Sequence, residues 1–220
     1  MKRRHAPKGR TRSARGLRKS PAKAPAAGSG RLRIIGGEFR RRLLPVINSP
    51  GLRPTPDRVR ETLFNWLAGV TPGARVLDLC AGTGALGLEA LSRGAAEALL
   101  VESDANVAAA LGNNLATLGI GDDRARAICS EVMRFLTGPS CPFDLVFLDP
   151  PFRQGLAAPC CAALADGWLA EDAWIYVETE NGLTLQAPTD WALHREVRAG
   201  DSHGRLYHYT HRQTPQTDAC

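Results

Sequence analysis

The segment at residues 75–79 runs straight into a loop holding Gly82, Gly84 and Gly87, and an apolar stretch at helical spacing follows. A strand feeding a glycine loop and then a helix is the opening unit of an open α/β sheet. The glycines let the chain turn tightly, let a ligand approach the backbone and let the helix pack on the strand. The same alternation continues from Gly73 onward. Strands are expected at 75–79, 98–101, 125–129, 143–148 and 173–178, and helices at 85–93, 104–118 and 159–169. Residues 193–199 and 205–209 flank Gly200 to Gly204 and read as a closing antiparallel hairpin. The fold class expected is α/β and Rossmann-like, with a mainly parallel seven-stranded sheet covered on both faces and a C-terminal antiparallel hairpin.

Upstream of the sheet, a helix is expected to start at Thr55. Thr55 would be its N-cap, with Pro56 in the first helical position and Asp57 in the first turn. Val59, Leu63, Trp66 and Leu67 form its apolar stripe, and Gly69 ends it. Residues 31–54 read as an extended, loop-like N-terminal extension, with a β-hairpin plausible. Residues 1–30 contain nothing to build a core from and read as a disordered basic tail. The α/β domain is expected over 55–212 and a short tail over 213–220.

Charge is segregated along the chain. Residues 1–33 carry 12 Lys/Arg and no Asp/Glu, whereas residues 61–220 carry 10 basic against 20 acidic residues. An acidic body with a basic end suggests a polyanion met from one side. The candidate phosphate contacts are Arg40, Arg41, Arg42, Arg53, Arg58 and Arg60; the plainer reading is a solvated surface. The length of 220 residues, 44% hydrophobic, suffices for one domain without disulfide or metal staples. No apolar run reaches the roughly 18–20 residues of a membrane-spanning helix. The six cysteines form no C-x-x-C pair and no zinc spacing, so a reducing compartment and no metal are expected. The N-terminus lacks a secretory apolar stretch. A cytoplasmic monomer is the resulting expectation.

The glycine loop admits a dinucleotide or S-adenosylmethionine. Asp78 stands at the end of the first strand, where a carboxylate suits a sulfonium or ammonium cation and repels a pyrophosphate. Glu102 closes the second strand and can accept from both ribose hydroxyls. The cofactor site expected comprises Asp78, Cys80, Ala81, Gly82, Thr83, Gly84, Gly87, Glu102, Ser103 and Glu131. Glu131 would take the adenine amino group, or would serve only as an acid at a helix N-terminus.

The fourth strand runs into Asp149-Pro150-Pro151-Phe152. Open parallel sheets bind ligands beyond the carboxyl ends of their strands, so this tetrapeptide should face the same crevice. Neither proline offers an N–H, and each restricts the residue before it. What remains is a stiff set of acceptors, the Asp149 carboxylate and the Pro150 carbonyl, beside the flat ring of Phe152. Such a set fits an exocyclic amine on a planar base, whose nitrogen lone pair is delocalised into the ring. Two acceptors on its two hydrogens favour a pyramidal nitrogen with the lone pair aimed at a methyl donor. Orientation would then supply most of the catalysis, with Asp149 stabilising the developing positive charge and Phe152 stacking on the base.

These residues resemble a known family. Ile34-Ile35-Gly36-Gly37, the block from Gly51 to Leu67 (GLRPTPDRVRETLFNWL), the run from Leu77 to Gly94, and Asp149 to Phe152 are similar to the RsmD family. These are bacterial 16S ribosomal RNA guanine-N2 methyltransferases that use S-adenosylmethionine. The similarity covers about residues 31–210. It implies the class I methyltransferase form of the fold, with Asp78 to Gly87 holding the methionine end of the cofactor and Glu102 its ribose. It further implies that Asp149 to Phe152 take the guanine amine and that the arginine-rich block helps bind rRNA in a small ribosomal subunit particle. Cys80 replaces the usual Phe, Thr83 the usual Ser, and Glu131 stands where Asp is common. Two other readings compete: methylation of the adenine N6 amine in DNA, and a non-catalytic RNA-binding assembly factor.

Overall fold

The computed structural model describes residues 30–47 and 55–211. The expected tails, Gly30 apart, and Arg53 lie outside them. The described elements are strands β1 (Arg31–Arg33), β2 (Leu43–Pro45), β3 (Arg75–Leu79), β4 (Glu97–Glu102), β5 (Ala125–Cys129), β6 (Phe143–Leu148), β7 (Leu169–Glu180), β8 (Trp191–Ala199) and β9 (Ser202–Thr210). The helices are α1 (Asp57–Trp66), α2 (Gly87–Ser92), α3 (Ala105–Leu118), α4 (Val132–Leu136) and α5 (Ala157–Leu164). None of them is long and apolar enough to cross a membrane.

Seven strands form one sheet in the order β5-β4-β3-β6-β7-β9-β8. β3 to β7 run parallel, and β9 pairs antiparallel with both β7 and β8. The chain builds outward from β3 through β4 to β5, then returns to place β6 on the other side of β3. Such a reversal opens a crevice at the carboxyl ends of the two central strands. The glycine loop follows β3, and Asp149 follows β6.

Side chains alternate across each strand, so two cores form. Val76, Leu100, Leu145, Phe147 and Tyr176 face α1, α2 and α3, while Leu77, Val101, Val146, Leu148 and Ile175 face α4 and α5. Phe64 of α1 meets Phe147 edge-on at 5.8 Å between ring centres.

β1 and β2 form the antiparallel hairpin that 31–54 admitted. It is no free extension, because Leu32, Ile34, Phe39 and Leu44 are buried in the first core. Glu89, on α2 and fully buried, accepts from the backbone N–H groups of Ile35 and Gly36, both at 2.8 Å. Gly37 has φ +74°, and a Cβ there would stand 1.7 Å from the Ser92 carbonyl oxygen. Glycine is therefore required where the hairpin presses on α2.

Several boundaries differ from expectation. α1 starts at Asp57 with Pro56 as its cap residue, and no side chain caps it. Thr55 is used elsewhere, as described below. The apolar stretch at 159–169 does not form one helix. Gly167 takes φ +81° and breaks it, so α5 ends at Leu164 and β7 begins at Leu169. α4 spans five residues, too short to display a helical period. α3 follows expectation, with Asp104 accepting from the N–H of Asn106 at 2.8 Å and Gly119 left-handed at its end.

Candidate active site

An open cleft of about 1090 Å³ lies across the carboxyl ends of β3, β4, β6 and β7. Asp78, Cys80, Ala81, Gly82, Thr83, Glu102, Ser103 and Glu131 line one part of it, and Asp149, Pro150, Pro151 and Phe152 another. Residues from two distant stretches of sequence therefore share one cavity. The glycine-loop half and the proline half are tied together by the Asp149 N–H, which donates to the Leu79 carbonyl at 3.4 Å.

Gly84 and Gly87 shape the loop from behind. Gly84 has φ +76°, and its N–H closes the turn on the Ala81 carbonyl at 2.7 Å. The Gly87 N–H donates to Asp78 Oδ2 at 2.8 Å. A Cβ at Gly87 would lie 2.9 Å from that oxygen and 3.0 Å from Leu100, so a side chain would push Asp78 out of place. Glu102 pins the same loop, accepting from the Gly82 N–H at 2.9 Å through Oε2 and from the Asp104 N–H at 2.8 Å through Oε1. Oε1 also accepts from the Ser103 hydroxyl at 3.2 Å, so Oε2 is the oxygen that keeps a second lone pair for a ligand hydroxyl. Glu131 is exposed at the N-terminus of α4 and caps nothing with its side chain.

The floor of the cleft is acidic. Asp78 is 2% exposed, and its carboxyl is pushed up to about 7, chiefly by burial and further by the Glu102 charge, against the pull of the Gly87 N–H. Asp149 is raised well above the ordinary carboxylate range. Burial is the main cause, the Glu178 and Asp78 charges add to it, and a hydrogen bond from the Thr55 hydroxyl opposes it. Burial also raises the Cys80 thiol, so it stays protonated and is no nucleophile at neutral pH. Perturbed acids gathered in one cavity are what a functional site requires of its titrating groups.

Thr55 and Glu178 escaped the sequence reading. The position of Thr55 before Pro-Asp predicts a helix cap, whereas its buried side chain bonds Asp149 at the cleft. Glu178 ends the expected strand 173–178, and the carboxyl-end rule that singled out Asp149 applies equally to it. Among the expected RNA contacts, Arg40, Arg41, Arg42 and Arg58 are exposed, and none of them lines the cleft. Arg60 requires correction. It is 1% exposed, donates to Asp57 at 2.6 Å and to the Arg33 carbonyl at 3.0 Å, and lies 3.6 Å from buried Glu89. Its charge balances that carboxylate and is shielded from any phosphate. No group of side chains suited to a metal occurs among the described residues.

The family described as conserved hypothetical protein 95 matches residues 32–208. The Escherichia coli K12 protein named ribosomal RNA small subunit methyltransferase D is 56% identical over 184 residues, covering 82% of this chain and 91% of that one. Its Haemophilus influenzae namesake is 46% identical over 181 residues, covering 81% and 94%. Among solved structures, the putative methyltransferase yhhF of Escherichia coli superposes with a TM-score of 0.77 at 52% identity, covering 83% of this chain and all of that one.

Proposed function

The chain belongs to the RsmD family, and from that premise we propose that it methylates the exocyclic N2 amine of a guanine in small-subunit (16S) rRNA. The methyl donor is S-adenosylmethionine, and the substrate is the rRNA of an assembling or assembled small-subunit particle in the cytoplasm. One observation carries the reading: Asp149, at the head of a Pro-Pro-Phe turn, opens onto the same cleft as Asp78 and the glycine loop.

The residues fit the donor. Asp78 is a buried carboxyl at the cleft floor, held close to neutrality by its surroundings. A cationic ligand beside it would replace missing solvation and favour its charged form. Glu102 is already oriented by two backbone N–H groups and accepts from hydroxyls. When bound, S-adenosylmethionine supplies an electrophilic methyl carbon. The chain's own part is to hold the base. Asp149 and the Pro150 carbonyl accept from the two amine hydrogens, and the half-buried Phe152 ring stacks on the base. Pro150 and Pro151 stiffen that grip. Arg153 adopts φ +62° and its N–H reaches Glu180 at 3.3 Å, which secures the far side of the turn. As the nitrogen gains charge, Asp149 stabilises it, and the raised basicity of this carboxylate makes it a fit acceptor for the proton released.

Transfer of labelled methyl from S-adenosylmethionine to small-subunit particles tests the reading. Asp149→Ala should abolish transfer, and nucleoside analysis of the wild-type product should yield N2-methylguanosine. Persistence of wild-type transfer in Asp149→Ala would overturn the chemistry. Transfer to DNA yielding N6-methyldeoxyadenosine, or RNA binding with no transfer, would replace the function with one of the two competing readings.

A further inference from the structure

Glu178 is a second acid in the base-binding half of the cleft, and the fold places it there deliberately. Leu148 of β6 pairs in register with Val177 of β7, so the residues that follow, Asp149 and Glu178, emerge side by side. Both lie on the sheet face that carries Phe147 and Tyr176, and both line the cleft. Glu178 is 5% exposed, and its Oε2 accepts from the Tyr176 hydroxyl at 3.0 Å. That hydroxyl occupies the space over Gly204, where a Cβ would stand 2.1 Å from it. Gly204 is the antiparallel partner of Glu178. Tyr176 and Gly204 thus cooperate to hold the Glu178 carboxylate at a fixed place beside Asp149. Holding it costs desolvation and like-charge repulsion, which an apolar residue would avoid.

Guanine gives that arrangement a purpose. Its Watson–Crick edge carries two neighbouring donors, the N2 amine and the N1–H, whereas adenine has an acceptor at N1 beside its amine. We propose that Glu178 is the specificity-determining residue of the site, accepting the guanine N1–H while Asp149 holds the adjacent amine. A base with a bare lone pair at N1 would meet a carboxylate with nothing to donate and would be rejected. The inference rests on the guanine-N2 reading and names the group that enforces it.

The test compares guanine with 2-aminopurine, which retains the 2-amine and has no hydrogen on N1. Small-subunit particles are reconstituted with either base at the methylated position, and kcat/KM is measured at a pH where Asp149 is ionised. Wild-type protein should favour guanine by about 30-fold or more, the range of a hydrogen bond to a charged group. In Glu178→Gln the amide can donate to a bare N1. That variant should lose about tenfold on guanine and bring the two bases within about threefold of each other. Equal use of both bases by the wild type overturns the proposal whether or not the variant folds. So does a Glu178→Gln enzyme that binds S-adenosylmethionine normally and keeps the wild-type ratio. Absence of any transfer to guanine by the wild type would instead overturn the guanine-N2 reading itself.

Discussion

Thr55 donates its hydroxyl hydrogen to the Asp149 carboxylate, joining the segment before α1 to the turn after β6. The bond stabilises the ionised acid, which is the form that accepts from an amine. Replacing Thr55 with Val keeps the shape and removes the donor. A hydrogen bond to a charged group contributes about 1.5–3 kcal/mol, so kcat should fall roughly tenfold or more. The acid limb of the pH profile should move upward, because the opposing influence on Asp149 is gone. Thr55→Ser should restore both, and a Val variant with an unmoved limb would show that Thr55 serves packing alone.

Glu178 acts on Asp149 in the opposite sense. Its charge, after burial, holds the Asp149 carboxyl above the ordinary carboxylate range. Activity requiring ionised Asp149 should therefore rise with pH through a limb displaced upward from that range. Glu178→Gln removes the repulsion, so the limb should shift down even as guanine selectivity is lost. The kcat/KM profile of the two proteins measures it, and coincident limbs would exclude the coupling.

The parallel framework was legible because β3, β4 and β6 are apolar runs bounded by glycine and helix signals, and because the carboxyl-end rule converts strand ends into site residues. It was legible for Asp78, Glu102 and Asp149 on that account. Thr55 was not, since a Thr before Pro-Asp has the same sequence appearance whether it caps a helix or bonds an acid across a cleft. It meets Asp149 only in the folded chain. Arg60 failed for a related reason. It shares its neighbourhood in sequence with exposed arginines, and its burial follows from Glu89, a residue of another helix that no local pattern links to it. α4 spans too few residues for periodicity to register, and the split between α5 and β7 turns on the single left-handed Gly167, which apolar spacing over 159–169 overrides in a reading by periodicity alone.

Asp78 couples stability to function through its raised carboxyl, about 7 in the folded chain against an ordinary 3.8. The folded state holds this proton more tightly than the unfolded one. Its contribution is fully present below about pH 4 and is lost as pH rises through about 7. About three pH units correspond to roughly 4 kcal/mol as an upper bound. Asp78→Asn keeps an acceptor for the Gly87 N–H and discards the buried charge. Without ligand it should melt higher than wild type at pH 8, with the difference vanishing towards pH 4. Its affinity for S-adenosylmethionine should fall at least about tenfold, and wild-type affinity should increase as pH passes 7. Thermal melts and calorimetric titration across that range check both halves. A variant that melts no higher at pH 8 would mean that Asp78 is not strained in the free protein.

The N-terminal arginines divide by burial, and the division is measurable. Arg40, Arg41 and Arg42 are exposed on a hairpin that Glu89 and Ser92 clamp to α2, so they form a rigid basic edge. If each neutralises one phosphate, the log–log dependence of rRNA affinity on salt should lose about 0.7 per contact removed. Changing all three to Ala should then flatten the slope by about 2 without altering the melting temperature. Arg60→Ala should do the reverse. It removes one of the two guanidinium groups beside fully buried Glu89, which keeps Arg93 at 2.7 Å, together with the Arg60 bonds to Asp57 and the Arg33 carbonyl, and should lower thermal stability by about 1–3 kcal/mol while the salt slope stays unchanged. A triple variant that binds rRNA with wild-type salt dependence would remove the hairpin from the RNA interface, and a stable Arg60→Ala protein with a flattened slope would return Arg60 to it.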